Sequence, residues 1–324
     1  MKFIRGLHNL LRQRERCVAT IGNFDGVHLG HHAVLDQVKA SAEKSNLIST
    51  VVIFEPQPIE YFSPNKAPSR LTRLREKIQQ FSEHQIDRVV CLKFDEKMAN
   101  LTAAEFVNDV LLDALQVKKL IIGDDFRFAK NREGDYQYLL SAAKENDFEV
   151  SMTESFISES ERVSSTLIRQ ALADGEMDRA TRLLGRPYRI SGRVGHGDKR
   201  GKKLGFATAN IELHRYLSPV KGIFSARVYG IDEQVMDAVV YVGSRPVYEG
   251  ERVILEVHVL NFDNDLYGHY LQVELIEKLR GEGTFTRTNK TTSTSMTPHA
   301  TGIMKRKIVT RRTLERNEVE QDGQ

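Results

Sequence analysis

The chain has 324 residues, 40% hydrophobic and 28% charged, which suits about two packed domains and excludes wholesale disorder. Its net charge of +3 is uneven: residues 286–324 carry 8 Lys/Arg against 4 Asp/Glu, and the remaining 39 against 40 exclude nucleic-acid binding by bulk charge. Cys17 and Cys91 provide neither a disulfide framework nor a CxxC metal pair. The opening MKFIRGLHNLLRQRER is too charged for a signal peptide, and no apolar run approaches the roughly 18 residues of a membrane span, so a soluble cytoplasmic protein without membrane attachment is expected.

Strand-like runs at 17–24, 47–54, 86–94 and 117–126 alternate with helical patterns at 31–44, 70–84 and 102–115. That alternation predicts an α/β domain with a parallel sheet covered on both faces. Helical patterns continue at about 133–146 and from Ser165 to Leu184, where Gly185 and Pro187 end them. The period then changes. YRISGRV, IFSARVYG, AVVYVGS, RVILEVHVLNF and YLQVELIEKL are separated by turn-rich pieces such as SRPVYEG and DNDLYG, which predicts a small antiparallel barrel or sandwich. The expected divisions are 1–186, 187–285 and a disordered basic tail over 286–324, where 8 of the 12 residues in TRTNKTTSTSMT are Ser or Thr.

The segment TIGNFDGVHLGHH (20–32) lies at a strand-to-helix junction, with His28 and His31 on one face of the first helical turn. Free N–H groups there attract phosphate, and imidazoles can donate to oxygens that gain charge during phosphoryl or adenylyl transfer. Gly22, Gly26 and Gly30 permit close backbone approach. Zinc binding or simple helix capping are the other readings of the pair. In VSSTLIRQALADG (163–175), Ser164 or Ser165 can cap a helix, and Arg169 follows Ser165 by one turn, which suits a second phosphate clamp.

In the second half, KRGKKLGFATANI (199–211) places Thr208 and Asn210 on the same side of an extended segment, where their oxygens suit Mg²⁺. Lys199, Arg200, Lys202 and Lys203 lie among glycines, as a phosphate cover or as a solvated turn. Glu256 in VILEVHVL alternates away from Val253, Leu255, Val257 and Val259, as part of an exposed sheet face or as a general base beside a nucleotide.

HLGH with SSTLIR resembles the signature of the class I nucleotidyltransferase superfamily. The strings TIGNFDGVHLGHH, IFEPQPIEYFSPNKAPSRLTRLREK, GDDFRFAKNREGD and GFATANI are similar to those of prokaryotic bifunctional riboflavin kinases/FMN adenylyltransferases over residues 1 to about 285. The resemblance implies a Rossmann-like nucleotidyltransferase domain followed by a riboflavin kinase β-barrel. ATP, riboflavin and FMN are the implied substrates, Mg²⁺ the implied metal, and small molecules rather than nucleic acid the partners. For adenylyl transfer it implies His28 and His31 as catalytic, and Gly22, Asn23, Asp25, Gly30, Ser165, Thr166 and Arg169 at the nucleotide. Phe54, Pro56, Asp125, Phe126 and Arg127 would lie near the flavin. For the kinase it implies Glu256 as base, Thr208 and Asn210 at the metal, Lys203 and Gly205 at the nucleotide, and Arg280 at the flavin. Ala129 stands where the family usually has Gly, and Ala207 where it has Pro. The tail departs from the family's acidic C-terminal helix, which leaves adenylyl transfer alone as the alternative reading.

Overall fold

The computed structural model describes residues 1–11, 15–153, 156–158, 161–195, 208–213, 217–231, 234–247 and 250–281. The chain divides into two compact units: Met1–Leu167 with Leu183–Gly185, and Ile168–Arg182 with the chain from Arg186 onward.

The first unit is built on six parallel strands, β1 (Lys2–Arg5), β2 (Cys17–Ile21), β3 (Ile48–Glu55), β4 (Arg88–Lys93), β5 (Val117–Gly123) and β6 (Glu149–Thr153), in the order β1-β4-β3-β2-β5-β6. Every residue of β2 is buried, as expected for a parallel strand covered on both faces. Alternation divides its side chains between two layers. Cys17, Ala19 and Ile21 pack with Val107, Val110, Leu111 and Leu139, while Val18 packs with Val34, Val38 and Ala42.

Helices α1 (Leu7–Leu10), α2 (Leu29–Ser45), α3 (Pro58–Phe62), α4 (Leu74–Glu83), α5 (Glu96–Asn100), α6 (Ala103–Glu105, continued by wide turns over Phe106–Ala114) and α7 (Tyr136–Glu145) connect the strands. The edge strands β1 and β6 were not anticipated. Both are short and partly exposed, so neither has the continuous apolar run that reveals a central strand. A two-residue pair follows, β7 (Ile157–Ser158) with β8 (Glu161–Arg162).

Two helical expectations are corrected. The pattern at 70–84 becomes helical only at Leu74, where Arg73 is the extended N-cap and its N–H donates to Glu76 Oε2 at 2.6 Å. The stretch from Ser165 to Leu184 is two helices, α8 (Ser165–Asp174) and α9 (Met177–Leu184). They part at Gly175, whose φ of 84° is a left-handed conformation that ends helices.

The second unit is a closed antiparallel barrel of β9 (Arg189–Gly195), β10 (Thr208–Glu212), β11 (Gly222–Ile231), β12 (Gln234–Val247), β13 (Gly250–Val259) and β14 (Tyr270–Arg280), in the order β10-β13-β12-β11-β14-β9. Phe224, Ala226 and Val228, Val240 and Val242, Leu255 and Val257, and Leu271 and Val273 form buried alternating sets. The expected SRPVYEG turn is shorter than its composition suggested. β12 runs through Pro246 to Val247, with Ser244 opposite Val253 and Val247 opposite Gly250.

At the end of β3, Arg70 donates to Glu55 (Nη2 to Oε1, 2.6 Å) and to Glu60 (Nε to Oε1, 2.5 Å), tying α3 to the strand. Burial alone would raise the Glu60 carboxyl, but hydrogen bonds from Arg70 and from the Gln57 N–H outweigh it and hold the group below its ordinary value. A depressed carboxylate stabilises the fold above its unfolded pKa of about 4.3 and loses that contribution as pH falls through the folded value. The denaturation midpoint of Glu60→Gln should therefore lie below that of the parent at pH 7, and the gap should shrink as pH falls below the unfolded value of about 4.3. A gap that does not change with pH would contradict this.

Ala129 has φ 65° and ψ −178°, a region adopted almost only by glycine. Ala129→Gly should relieve about 1–3 kcal/mol of strain against about 0.5–1 kcal/mol of added unfolded-state entropy. Urea unfolding should show a higher midpoint for the variant; an unchanged or lower one would count against strain at this position.

Candidate active sites

The parallel sheet reverses its strand order between β2 and β5, since β3 and β4 lie on one side of β2 and β5 and β6 on the other. In such sheets ligands bind outside the carboxyl ends of the strands at that point. The loop 22–28 follows β2, the Asp125–Arg127 segment follows β5, and Phe54 lies near the end of the neighbouring β3, with Pro56 just beyond it. Three of the expected clusters thus leave adjacent strands at the same edge.

His28 is the N-cap of α2, and its N–H donates to Nδ1 of His31 at 3.3 Å. In a neutral imidazole, an accepting Nδ1 leaves the proton on Nε2, so His31 can present an N–H donor at its far nitrogen. The His28 and His31 rings stack at 3.7 Å, and Phe24 lies 4.9 Å from His31. Gly30 sits beneath this pair; a Cβ there would come within 3.2 Å of the His28 ring.

The loop reaches this geometry through left-handed backbone at Phe24 (φ 47°), Gly26 (φ 87°) and Val27 (φ 42°). Such a conformation is costly for a β-branched residue and persists only where surrounding contacts impose it. Here they do. The Asp25 carboxylate accepts from Leu71 N at 3.0 Å and Thr72 N at 3.1 Å, and Gly26 N donates to Thr72 Oγ1 at 2.9 Å. Lys77 Nζ donates to Asn23 O at 2.7 Å, and Ser165 Oγ donates to Asp25 O at 2.8 Å. Asp25, expected at the nucleotide, is 3% exposed and engaged with main-chain N–H groups, so its carboxylate holds the loop. Gly22 N bonds Val52 O at 3.1 Å, while the Asn23 side chain is exposed.

Ser164, rather than Ser165, caps α8, accepting from Leu167 N at 3.2 Å. Ser165 instead brings the first turn of α8 against the loop, with Thr166 exposed beside it. Arg169 lies one turn further along α8, in the second compact unit. Among the residues expected near the flavin, Phe54 meets Phe94 edge-on at 5.5 Å and Phe126 stacks on Phe128 at 5.7 Å. Arg127 is exposed, and Asp125 lies 3.8 Å from Arg162.

In the barrel, Glu256 on β13 is directly opposite Asn210 on β10 and Tyr241 on β12. Directly paired residues point to the same face, about 5 Å apart at Cβ. Val253, Leu255, Val257 and Val259 are buried on the other face. Thr208 pairs in register with His258, which is 7% exposed. Arg280 is exposed at the end of β14, which stands across the closed barrel from β13 with two strands between them either way. Lys203, Gly205, Ala207 and the whole 286–324 tail lie outside the described residues.

Sequence reasoning missed Arg70, Thr72, Lys77, Arg162 and Tyr241. Tyr241 was masked by an ordinary strand pattern, Arg70 acts on Glu60 and Glu55 at 10 and 15 positions, and Thr72, Lys77 and Arg162 act through partners 38 to 54 positions away. Among the described residues, no helix is long and apolar enough to cross a membrane, and no group of three or more His, Cys, Asp or Glu could hold a metal ion.

Residues 10–167 match the family described as FAD synthetase, and residues 184–294 match riboflavin kinase. The chain is 49% identical over 286 residues to the bifunctional riboflavin kinase/FMN adenylyltransferase of Escherichia coli K12, covering 88% of this chain and 91% of that one. The Pseudomonas fluorescens enzyme of the same name is 46% identical over 88% and 91%, and that of Haemophilus influenzae 44% over 87% and 92%. A crystal structure titled as a macrolide-efflux protein from Streptococcus pneumoniae shares the fold, with a TM-score of 0.74 and 27% identity over 89% of this chain and 94% of that one. With both halves matched, and relatives aligned through the adenylyltransferase and kinase regions alike, the chain belongs to the bifunctional riboflavin kinase/FMN adenylyltransferase family.

Proposed function

We propose that the two activities are divided between two sites, adenylyl transfer in residues 1–186 and riboflavin phosphorylation in residues 187–285. The observation that carries this reading is the pairing of a stacked-histidine helix N-terminus on one unit with a Glu256–Asn210 pair on the other.

In the first site, an FMN phosphate oxygen attacks the α-phosphorus of ATP. The bond to the bridging oxygen breaks, and pyrophosphate leaves as FAD forms. His28 and His31 donate to phosphate oxygens as charge gathers on them. Gly22, Asn23 and Gly30 line the nucleotide's approach, with Asp25 holding the 22–28 loop, and Ser165 and Thr166 take the triphosphate end. Phe54, Pro56, Asp125, Phe126 and Arg127 receive the flavin.

In the second site, Glu256 takes the proton of the riboflavin 5′-hydroxyl as that oxygen attacks the γ-phosphorus, and ADP leaves. Thr208 and Asn210 would hold Mg²⁺. A neutral amide oxygen such as that of Asn210 fits a hard ion that keeps waters and takes its remaining ligands from phosphate. When bound, the ion neutralises charge on the nucleotide. Lys203 and Gly205 cover the nucleotide, and Arg280 contacts the flavin. The buried free thiols Cys17 and Cys91 suit a reducing compartment, and we place the enzyme in the cytoplasm.

The full chain supplied with riboflavin, ATP and Mg²⁺ should yield FMN and then FAD on chromatography; absence of both FMN from riboflavin and FAD from FMN would reject the reading. His28→Ala should reduce FAD formation about 100-fold and leave riboflavin phosphorylation intact. Glu256→Ala should do the reverse, with a loss of about 100-fold or more in the kinase. Loss of both activities from either change in a folded protein would contradict two separate sites.

A further inference from the structure

We infer that Lys77 is a positioning residue for adenylyl transfer, holding the Asn23 carbonyl so that the 22–28 loop keeps the course that sets His31 and His28. This rests on the reading of that loop as the ATP site.

Lys77 is 1% exposed and lies on α4 one turn before Phe81, on the face that packs against the sheet. Its ammonium donates to Asn23 O at 2.7 Å. Burying an ammonium carries a desolvation penalty that a single charged hydrogen bond does not repay. An apolar side chain of similar volume would serve the core at least as well. The charged groups around it are Asp25, Glu55 and Glu60, which attract it, and Arg70, which repels it; burial lowers its pKa despite the three carboxylates. A lysine kept under these conditions does something that packing does not require.

The contacts say what that is. In a trans peptide the carbonyl and the following N–H point opposite ways, so fixing Asn23 O toward α4 also fixes the plane leading into Phe24, a residue held at φ 47°. The Phe24 ring then rests edge-on against Phe81 at 5.4 Å and lies 4.9 Å from His31, which stacks on His28 at 3.7 Å. Lys77 therefore acts on the imidazoles through one peptide plane and one phenyl ring. Arg70 and the Glu55–Glu60 pair lie in the same charge group, which joins the end of β3, where the flavin residues stand, to the nucleotide loop.

The test is Lys77→Met in the full chain, assayed for both activities in one preparation. FAD formation from FMN should fall about 100-fold in kcat/KM for ATP, the scale of a 1 Å misplacement, with riboflavin phosphorylation and the KM for FMN within about threefold of the parent. Lys77→Arg, which keeps charge and donor, should recover a large part of the loss. If Lys77→Met does not fold, Lys77→Gln is judged by the same ratio of activities. Adenylyl transfer within twofold of the parent in a folded variant overturns the proposal, as does a parallel loss of both activities. A parent chain that makes no FAD from FMN would instead count against the assignment of the ATP site.

Discussion

The first site depends on one backbone constraint: a loop of seven residues held in a shape it would not adopt alone. Left-handed conformations at Phe24 and Val27 cost about 1–3 kcal/mol each. Against them stand charge-assisted bonds of about 1.5–3 kcal/mol each, from Leu71 N and Thr72 N to the Asp25 carboxylate and from Lys77 to the Asn23 carbonyl. The bonds together outweigh the strain, so the loop keeps its course while the 71–77 segment is in place. In return, α2 begins at His28 with its imidazole stacked on that of His31, and the first turn of α8 is anchored to the same loop by Ser165.

The barrel solves its own problem by simpler means. Strand alternation separates an apolar set, Val253, Leu255, Val257 and Val259, from a face carrying Glu256, and register alone brings Asn210 and Tyr241 beside the carboxylate. No left-handed backbone is involved at these three residues. A one-residue slip between β10 and β13 would turn Asn210 to the opposite face, so the buried valines that pin the register also hold the site together.

The two units therefore tolerate change differently. In the barrel, an inward-facing substitution acts through register and packing. In the sheet unit, the Thr72 hydroxyl and the main-chain N–H of Leu71 bear on the 22–28 loop because its conformation is imposed from outside. Ala129 is a second case of imposed backbone, at the loop that follows the Asp125–Arg127 segment.

Much was legible from local pattern. Short apolar runs alternating with helical periods marked the central strands of the parallel sheet, and the change of period after Pro187 marked the barrel. Short spacing put His28 with His31 on one helical face and Asn210 with Thr208 on one side of a strand, because side-chain direction in a helix or strand follows from spacing, while the family resemblance supplied the chemistry expected of them. Only the tertiary structure decided that the Asp25 carboxylate turns inward, that Ser164 caps α8 while Ser165 binds the loop, that Gly175 divides one helical pattern into two, and that the strand ending in Arg280 stands across the barrel from the strand of Glu256. The reason is physical. Each of these depends on a partner or a backbone angle set by segments distant in sequence, and a hydrogen bond made across 46 positions leaves no periodic trace in the residues between.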